Sequence, residues 1–394
     1  MKNRSILLLV LAEVAAMTLW FVSSATLADQ QKELTLSDFS SALLTSGVAA
    51  GFVVGALYVA ISGIADRHDP RRVFAISAIL AAAANACLLM VVPGGVVSIA
   101  LRVFTGFCLA GVYPVGMKIA IGWGQKDRGW LVGLLVGGLT LGSASPHLLA
   151  WFGGSNWRLT TAIASALALF AAGLIMLTKL GPHHASQARV TVGQVSLAWT
   201  DRRIRRAFIG YLGHMWELYA LWAWIAPAAA ASYMLQTDAA TALEWSKLTA
   251  FVAIASGALL CPFAGRYADH LGKAELTIFA MLVSAASALM AAFVFGGPVI
   301  LVATVFVLWG LSVIPDSAQF SALVADLSPP EMSGSLMSLQ TALGFALTIL
   351  TVQLTPIVVD RFGWPLLFCV LALGPIIGIV SMTGLTRRNQ NASH

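Results

Sequence analysis

The sequence predicts an all-α integral membrane protein of twelve transmembrane helices in two pseudo-symmetric six-helix halves, and three observations lead there. The 394 residues are 59% hydrophobic and only 10% charged, with a mean hydropathy of +0.85, where a soluble domain carries roughly a quarter charged residues. The apolar stretches run to about 20 residues, enough to cross some 30 Å of hydrocarbon as helix, and lack the short alternation of a β-barrel. A polar loop after the second stretch also recurs, with changes, after the eighth.

In order, spans are predicted near 5–27, 42–64, 73–93, 96–122, 129–152, 157–180, 207–235, 247–268, 276–296, 298–324, 333–357 and 364–386. The first, MKNRSILLLVLAEVAAMTLWFVSSATL, imitates a signal peptide through its basic start. Its apolar run is too long for an h-region and contains Glu13, so it is read as a retained span. Twelve crossings put both termini on one side. Basic residues gather there: Lys2 and Arg4, then Arg67, Arg71 and Arg72, then Lys126 and Arg128, the run from Arg202 to Arg206, Lys273, and Arg387 and Arg388. The positive-inside rule makes that side the cytoplasm, and the expected location is the cytoplasmic (inner) membrane.

The polar segment 181–206 divides the chain into an N-terminal bundle, 1–180, and a C-terminal bundle, 207–394. Its arginines serve as a topology signal and a headgroup contact. The net charge of +6 needs no nucleic acid, because no aromatic-studded basic face accompanies it. Cys87, Cys108, Cys261 and Cys369 lie in apolar runs without C-x-x-C spacing and read as small core residues. No cofactor or metal is expected.

The repeated loop reads SGIADRHDPRR in the first half and GRYADHLGKAE in the second. It resembles the G-x-L-A-D-R-x-G-R-R motif of the major facilitator superfamily, found after the second span of each half. Gly265, Ala268, Asp269, Gly272 and Lys273 fit in the second copy, and Ile64, Ala65, Asp66, Arg67 and Arg71 in the first. Ser62 replaces the first glycine there, and Asp69-Pro70 replaces Gly-Arg. The resemblance implies the major facilitator fold. It also implies a gating role for Asp66, Arg67, Arg71, Gly265 and Asp269, since a carboxylate at one helix end and arginines on the next segment can form a charge-assisted latch.

In that family the first and fourth spans of each half line the cavity, which here means spans one, four, seven and ten. Glu13, Arg102 and Lys118, His214 and Glu217, and Asp316 fall on those spans, and His147 falls on span five. Ionisable groups inside a bilayer face a protein interior or a watery path. Glu217 lies about 15 Å into its span and shares a helical face with His214, Leu221 and Trp224. Arg102 shares a stripe with Gly106, Leu109 and Tyr113, and Pro114 can kink the helix below it. Arg102 cannot discard its proton, so its burial calls for an anion, either Glu13, Glu217 or the substrate. Lys118, roughly 24 Å further along, is read as either an anchor at the cytoplasmic side or a cavity cation.

The expected substrate-binding set is Arg102, Tyr113, His214, Trp216, Glu217, Trp224 and Gln319, with Glu13, Glu217 and Asp316 for proton coupling and Lys118 and His147 as secondary candidates. The tryptophans can equally be packing residues at helix contacts or interfaces. An enzyme is not expected: H-E-x-x-H, the intramembrane protease patterns G-x-S-G and G-x-G-D, and a Walker loop are all absent from the sequence. Two halves with matched loops suit alternating access better than a channel. The resulting expectation is a monomeric secondary transporter in the lipid bilayer, carrying a small organic anion or zwitterion in symport with protons. The alternative is a proton-coupled antiporter exporting cationic or amphipathic compounds.

Overall fold

A computed structural model of the chain describes residues 1–34, 36–124, 127–154, 156–182, 196–329 and 332–386, leaving out the side chains of Asp66, Arg128 and Asp269. Among the described residues there are helices and turns but no strand. The helices of the first half are α1 (Lys2–Met17), α2 (Val22–Glu33), α3 (Asp38–Ser62), α4 (Ile64–Arg67), α5 (Pro70–Cys87), α6 (Val96–Leu109), α7 (Tyr113–Ile121), α8 (Arg128–Phe152) and α9 (Trp157–Met176). They are followed by α10 (Leu197–Thr200), α11 (Arg202–Tyr233), α12 (Ala239–Leu271), α13 (Lys273–Val294), α14 (Val299–Val313), α15 (Ser317–Leu327) and α16 (Ser333–Met382).

Among the described residues, ten stretches are long and apolar enough to cross a bilayer. The pairs α1 with α2, α6 with α7 and α14 with α15 each form one of them, and Ser333–Leu385, at 53 residues, is long enough to cross twice. It breaks at Gly363, whose φ of 81° is left-handed, between the eleventh and twelfth predicted spans. The seventh predicted span falls on α11, which has 32 residues and ends at Tyr233, and which is not one of those ten stretches.

Local chemistry sets several helix starts. The side chains of Ser37, Asp69, Asn156, Asp201 and Asp238 each accept a backbone N–H in the first turn of α3, α5, α9, α11 and α12, as N-caps do. The Asp201 cap starts α11 at Arg202, so the basic run at the end of the predicted central loop is instead the first turn of a helix. Most of the remainder of that loop, residues 183–195, lies outside the described residues.

Three predicted spans are interrupted rather than continuous. The fourth breaks at Ala110–Val112, just before Pro114, which lacks an N–H and crowds the carbonyl of Ala110. The tenth breaks around Pro315, between Val313 and Ser317. The first breaks at Thr18–Phe21, where there is no proline.

Glycines allow close helix crossings where lipid supplies no hydrophobic drive. A Cβ on Gly51 would stand 1.7 Å from the Val103 carbonyl oxygen, and one on Gly106 would stand 1.9 Å from that of Val48, so α3 and α6 touch backbone to backbone. Between the halves, α8 lies along α12 in the same manner, with Gly133 on Cys261 and Pro262 and Gly265 on Gly129. Gly106→Ala is therefore expected to lose about 1–3 kcal/mol through overpacking. Thermal unfolding of the detergent-solubilised protein checks this, and an unchanged midpoint would contradict the close crossing.

Candidate functional site

The deep ionisable residues are packed into the interiors of the two halves. Arg102 on α6 is fully buried. Its Nε donates to the Leu44 carbonyl (3.2 Å), its Nη1 to the Leu19 carbonyl (3.0 Å) and Asn85 Oδ1 (3.2 Å), and its Nη2 to the Trp20 carbonyl (2.6 Å). The carboxylate expected beside it is replaced by neutral acceptors. The reason is the break in the first span: Leu19 and Trp20 leave the helix there, and their freed carbonyls need donors. Asn85 on α5 is itself held by the Thr161 carbonyl and Ser165 Oγ of α9.

Glu13 on α1 is fully buried, and both its oxygens lack a hydrogen-bond partner among the described residues. Gly116 and Gly138 make room for it, because a Cβ on Gly116 would stand 2.6 Å from Glu13 Oε2. Tyr113 begins α7, just beyond the break in the fourth span, and is partly buried. Lys118 donates to the Ala65 carbonyl at 2.8 Å, at the end of the molecule that carries the termini. His147 on α8 is fully buried, and neither ring nitrogen has a hydrogen-bond partner among the described residues.

In the second half the face predicted for α11 divides between two neighbourhoods. Glu217 accepts from Ser284 Oγ on α13 (2.7 Å) and from Trp309 Nε1 on α14 (3.1 Å). His214 instead meets Asp316, with Nδ1 3.1 Å from Oδ1 and both side chains 1% exposed. The contact is at ion-pair distance without the alignment of a hydrogen bond, and His214 Nε2 also lacks a partner among the described residues. The Tyr211 and Phe320 rings lie against the imidazole. Asp316 sits at the N-cap of α15, in the break of the tenth span, and Gln319, one turn on, is buried.

Trp216 Nε1 donates to the Val370 carbonyl and Trp224 Nε1 to that of Val352, both on α16. Cys108 and Cys261 are buried, while Cys87 is exposed.

The gating residues divide as well. Arg71 pairs with Asp69 at 2.6 Å and donates to the Thr178 carbonyl at 3.0 Å, so its partners lie in its own half. The hydrogen bond from Arg71 holds the Asp69 carboxyl below the usual carboxylate range. A depressed pKa stabilises fully above the ordinary value of about 3.9 and is lost only as pH falls through the lower folded one. This cap therefore persists at neutral pH. Arg67 is exposed, and the side chains of Asp66 and Asp269 lie outside those described. Gly265 does bridge the halves, through the contact with Gly129.

Sequence reasoning missed Asn85, Ser284, and the ion pair between Asp29 and Lys247. Asn85 stood out as the polar residue in AILAAAANACLL, whereas Asp29 and Lys247 looked like ordinary charges near span ends. Replacing Arg102 by methionine leaves up to four acceptors without a donor, at roughly 1–3 kcal/mol each. Arg102→Met is thus expected to lose about 3 kcal/mol or more of stability in thermal unfolding. Parent-like stability with weakened solute binding would instead make Arg102 a solute ligand.

Compared with curated proteins, the sequence matches none. Among solved structures the chain is similar to a mutant of the nucleoside transporter NupG, with a TM-score of 0.71 and 15% identity over 97% of this chain and 100% of that one. It is also similar to the E. coli xylose transporter XylE in a partially occluded inward-open conformation, with a TM-score of 0.73 and 12% identity over 98% of this chain and 99% of that one. These likenesses establish the fold. The sequence pattern of the Major Facilitator Superfamily matches residues 9–350, and this multi-pass membrane protein belongs to that superfamily.

Proposed function

We propose that the protein is a proton-coupled secondary transporter working by alternating access, with His214 and Asp316 as the coupling centre. The observation that carries this is the buried contact of an imidazole with a carboxylate at 3.1 Å, in a helix break of the kind from which transporter binding sites are built. One proton converts such a pair between a net negative and a net neutral state. In a low-dielectric interior that difference is large enough to alter how α14 and α15 pack. Glu13 and Glu217 are further proton sites. Glu217 is held by two neutral donors, which can serve it in either protonation state.

For the solute, the guanidinium that suggested an organic anion is occupied by carbonyls and Asn85. Among the described residues the buried polar groups include carboxyls, two imidazoles, amides and tyrosines, which suit a solute bearing a hydrogen-bond-donating or cationic group. A small zwitterion in symport with protons satisfies both this and the expectation from sequence. Export of cationic or amphipathic compounds is the second reading, favoured by Glu13, whose oxygens lack a donor among the described residues. The arginines at the start of α11 support an inner-membrane placement with both termini cytoplasmic, and the chain is taken to act as a monomer.

The test uses purified protein in liposomes with an imposed pH gradient and an internal pH dye, screened with carboxylates, zwitterions, xylose, nucleosides and organic cations. Solute-evoked proton entry that is lost in Asp316→Asn, while solute binding by calorimetry survives, is the expected result. Proton flux in the opposite direction, evoked by cations alone, moves the protein to the second reading. Unchanged coupling in both Asp316→Asn and His214→Gln overturns the coupling centre.

A further inference from the structure

The two halves meet differently at their two ends. At the end bearing the termini one contact between them is glycine against backbone, Gly265 on Gly129. At the far end Lys247 of α12 reaches into the other half. Its Nζ lies 2.6 Å from Asp29 Oδ2 on α2, 2.7 Å from the Gly154 carbonyl and 3.3 Å from the Ala150 carbonyl. An ammonium has three donors, and all three are taken by the opposite half. Lys32 approaches the other Asp29 oxygen at 3.4 Å. Lys247 is 6% exposed and Asp29 2%.

Further contacts between the halves lie beneath the pair. Ser24 on α2 donates to the Ala223 carbonyl on α11. Deeper still, Trp20 and Phe52 from the first half meet Tyr219 and Phe345 from the second, with ring centroids 4.7–5.6 Å apart. The far end is thus closed by an ionic layer above an aromatic one.

We propose that Asp29 and Lys247 form the lock that holds the far end shut, and that the solute path reaches that side only when this pair separates. A buried pair gains from mutual attraction roughly what it loses in desolvation. Separating it into water therefore carries little net penalty, as a reversible lock requires. Removing one partner alone is different, because the remaining ion is left buried without its counter-charge, which disfavours the closed state. Removing both charges restores an uncharged, closable contact. The lock requires only that the halves part at this end, so it stands or falls separately from proton coupling.

Ser24→Cys, in a background lacking the four native cysteines, reports access to the space beneath the pair through the rate of labelling by a membrane-impermeant maleimide. Asp29→Leu is expected to raise that rate about tenfold or more, since a penalty of a few kcal/mol shifts a two-state population by at least that factor. Lys247→Met is expected to raise it less, because Lys32 still faces Asp29. The double variant Asp29→Leu/Lys247→Met is expected to return to within about twofold of the parent. Single variants that label like the parent overturn the lock, and so does a double variant that labels as fast as Asp29→Leu, since a purely structural contact gives additive damage. If Asp29→Leu does not fold, spin labels at Leu34 and Ala240 in Lys247→Met supply the same reading. A lengthened far-end distance supports the lock, and an unchanged one overturns it.

Discussion

Hydrocarbon offers no water, so the backbone polar groups at membrane depth must find their partners within the chain. That constraint explains the position of Arg102. The first span leaves helical geometry at Thr18–Phe21, and carbonyls freed there would be costly in lipid. The guanidinium reaches them from α6 and ties them to Asn85 on α5. A permanent charge thereby becomes a fastener for a helix break, joining the first four spans. The second half has an analogous contact, with Trp309 of α14 and Ser284 of α13 donating to Glu217 of α11. In that half the acceptor is a side chain and the helix stays continuous, because no backbone carbonyl has to be released to provide it.

Once each half is stapled internally, the contacts between halves can be of a different kind. The seam of α8 along α12 relies on small residues and dispersion. The α3 and α16 contact adds one side-chain hydrogen bond, from Gln353 to Ser46. Strong polar interactions within halves and sparse ones between them are what rigid bodies that rock against each other require. Among the described residues, Asp29 with Lys247 is a charged contact that departs from this division.

The proposed coupling centre follows from the same logic. His214 and Asp316 both belong to the second half and are 1% exposed, so in the proposed coupling protonation there would act through the break between α14 and α15. A helix break is a natural place to convert a local charge into movement, because its backbone is already free of the i to i−4 ladder.

Much was legible in the sequence. Apolar length indicated most of the spans, although α11 is not among the stretches long and apolar enough to cross; the repeated loop indicated the family, and Pro114 marked one of the three breaks, because a missing N–H is a local property of the residue. The buried ionisable residues could also be named, since a charge within an apolar run is conspicuous. Their partners could not. Which neighbour a side chain meets depends on the rotation and tilt of a whole helix, set by packing among residues far apart in the chain. The tertiary structure therefore decided that Arg102 binds carbonyls, that His214 and Glu217 part company despite a shared helical face, that the first span breaks without a proline, and that Asp29 and Lys247, 218 positions apart, are a pair.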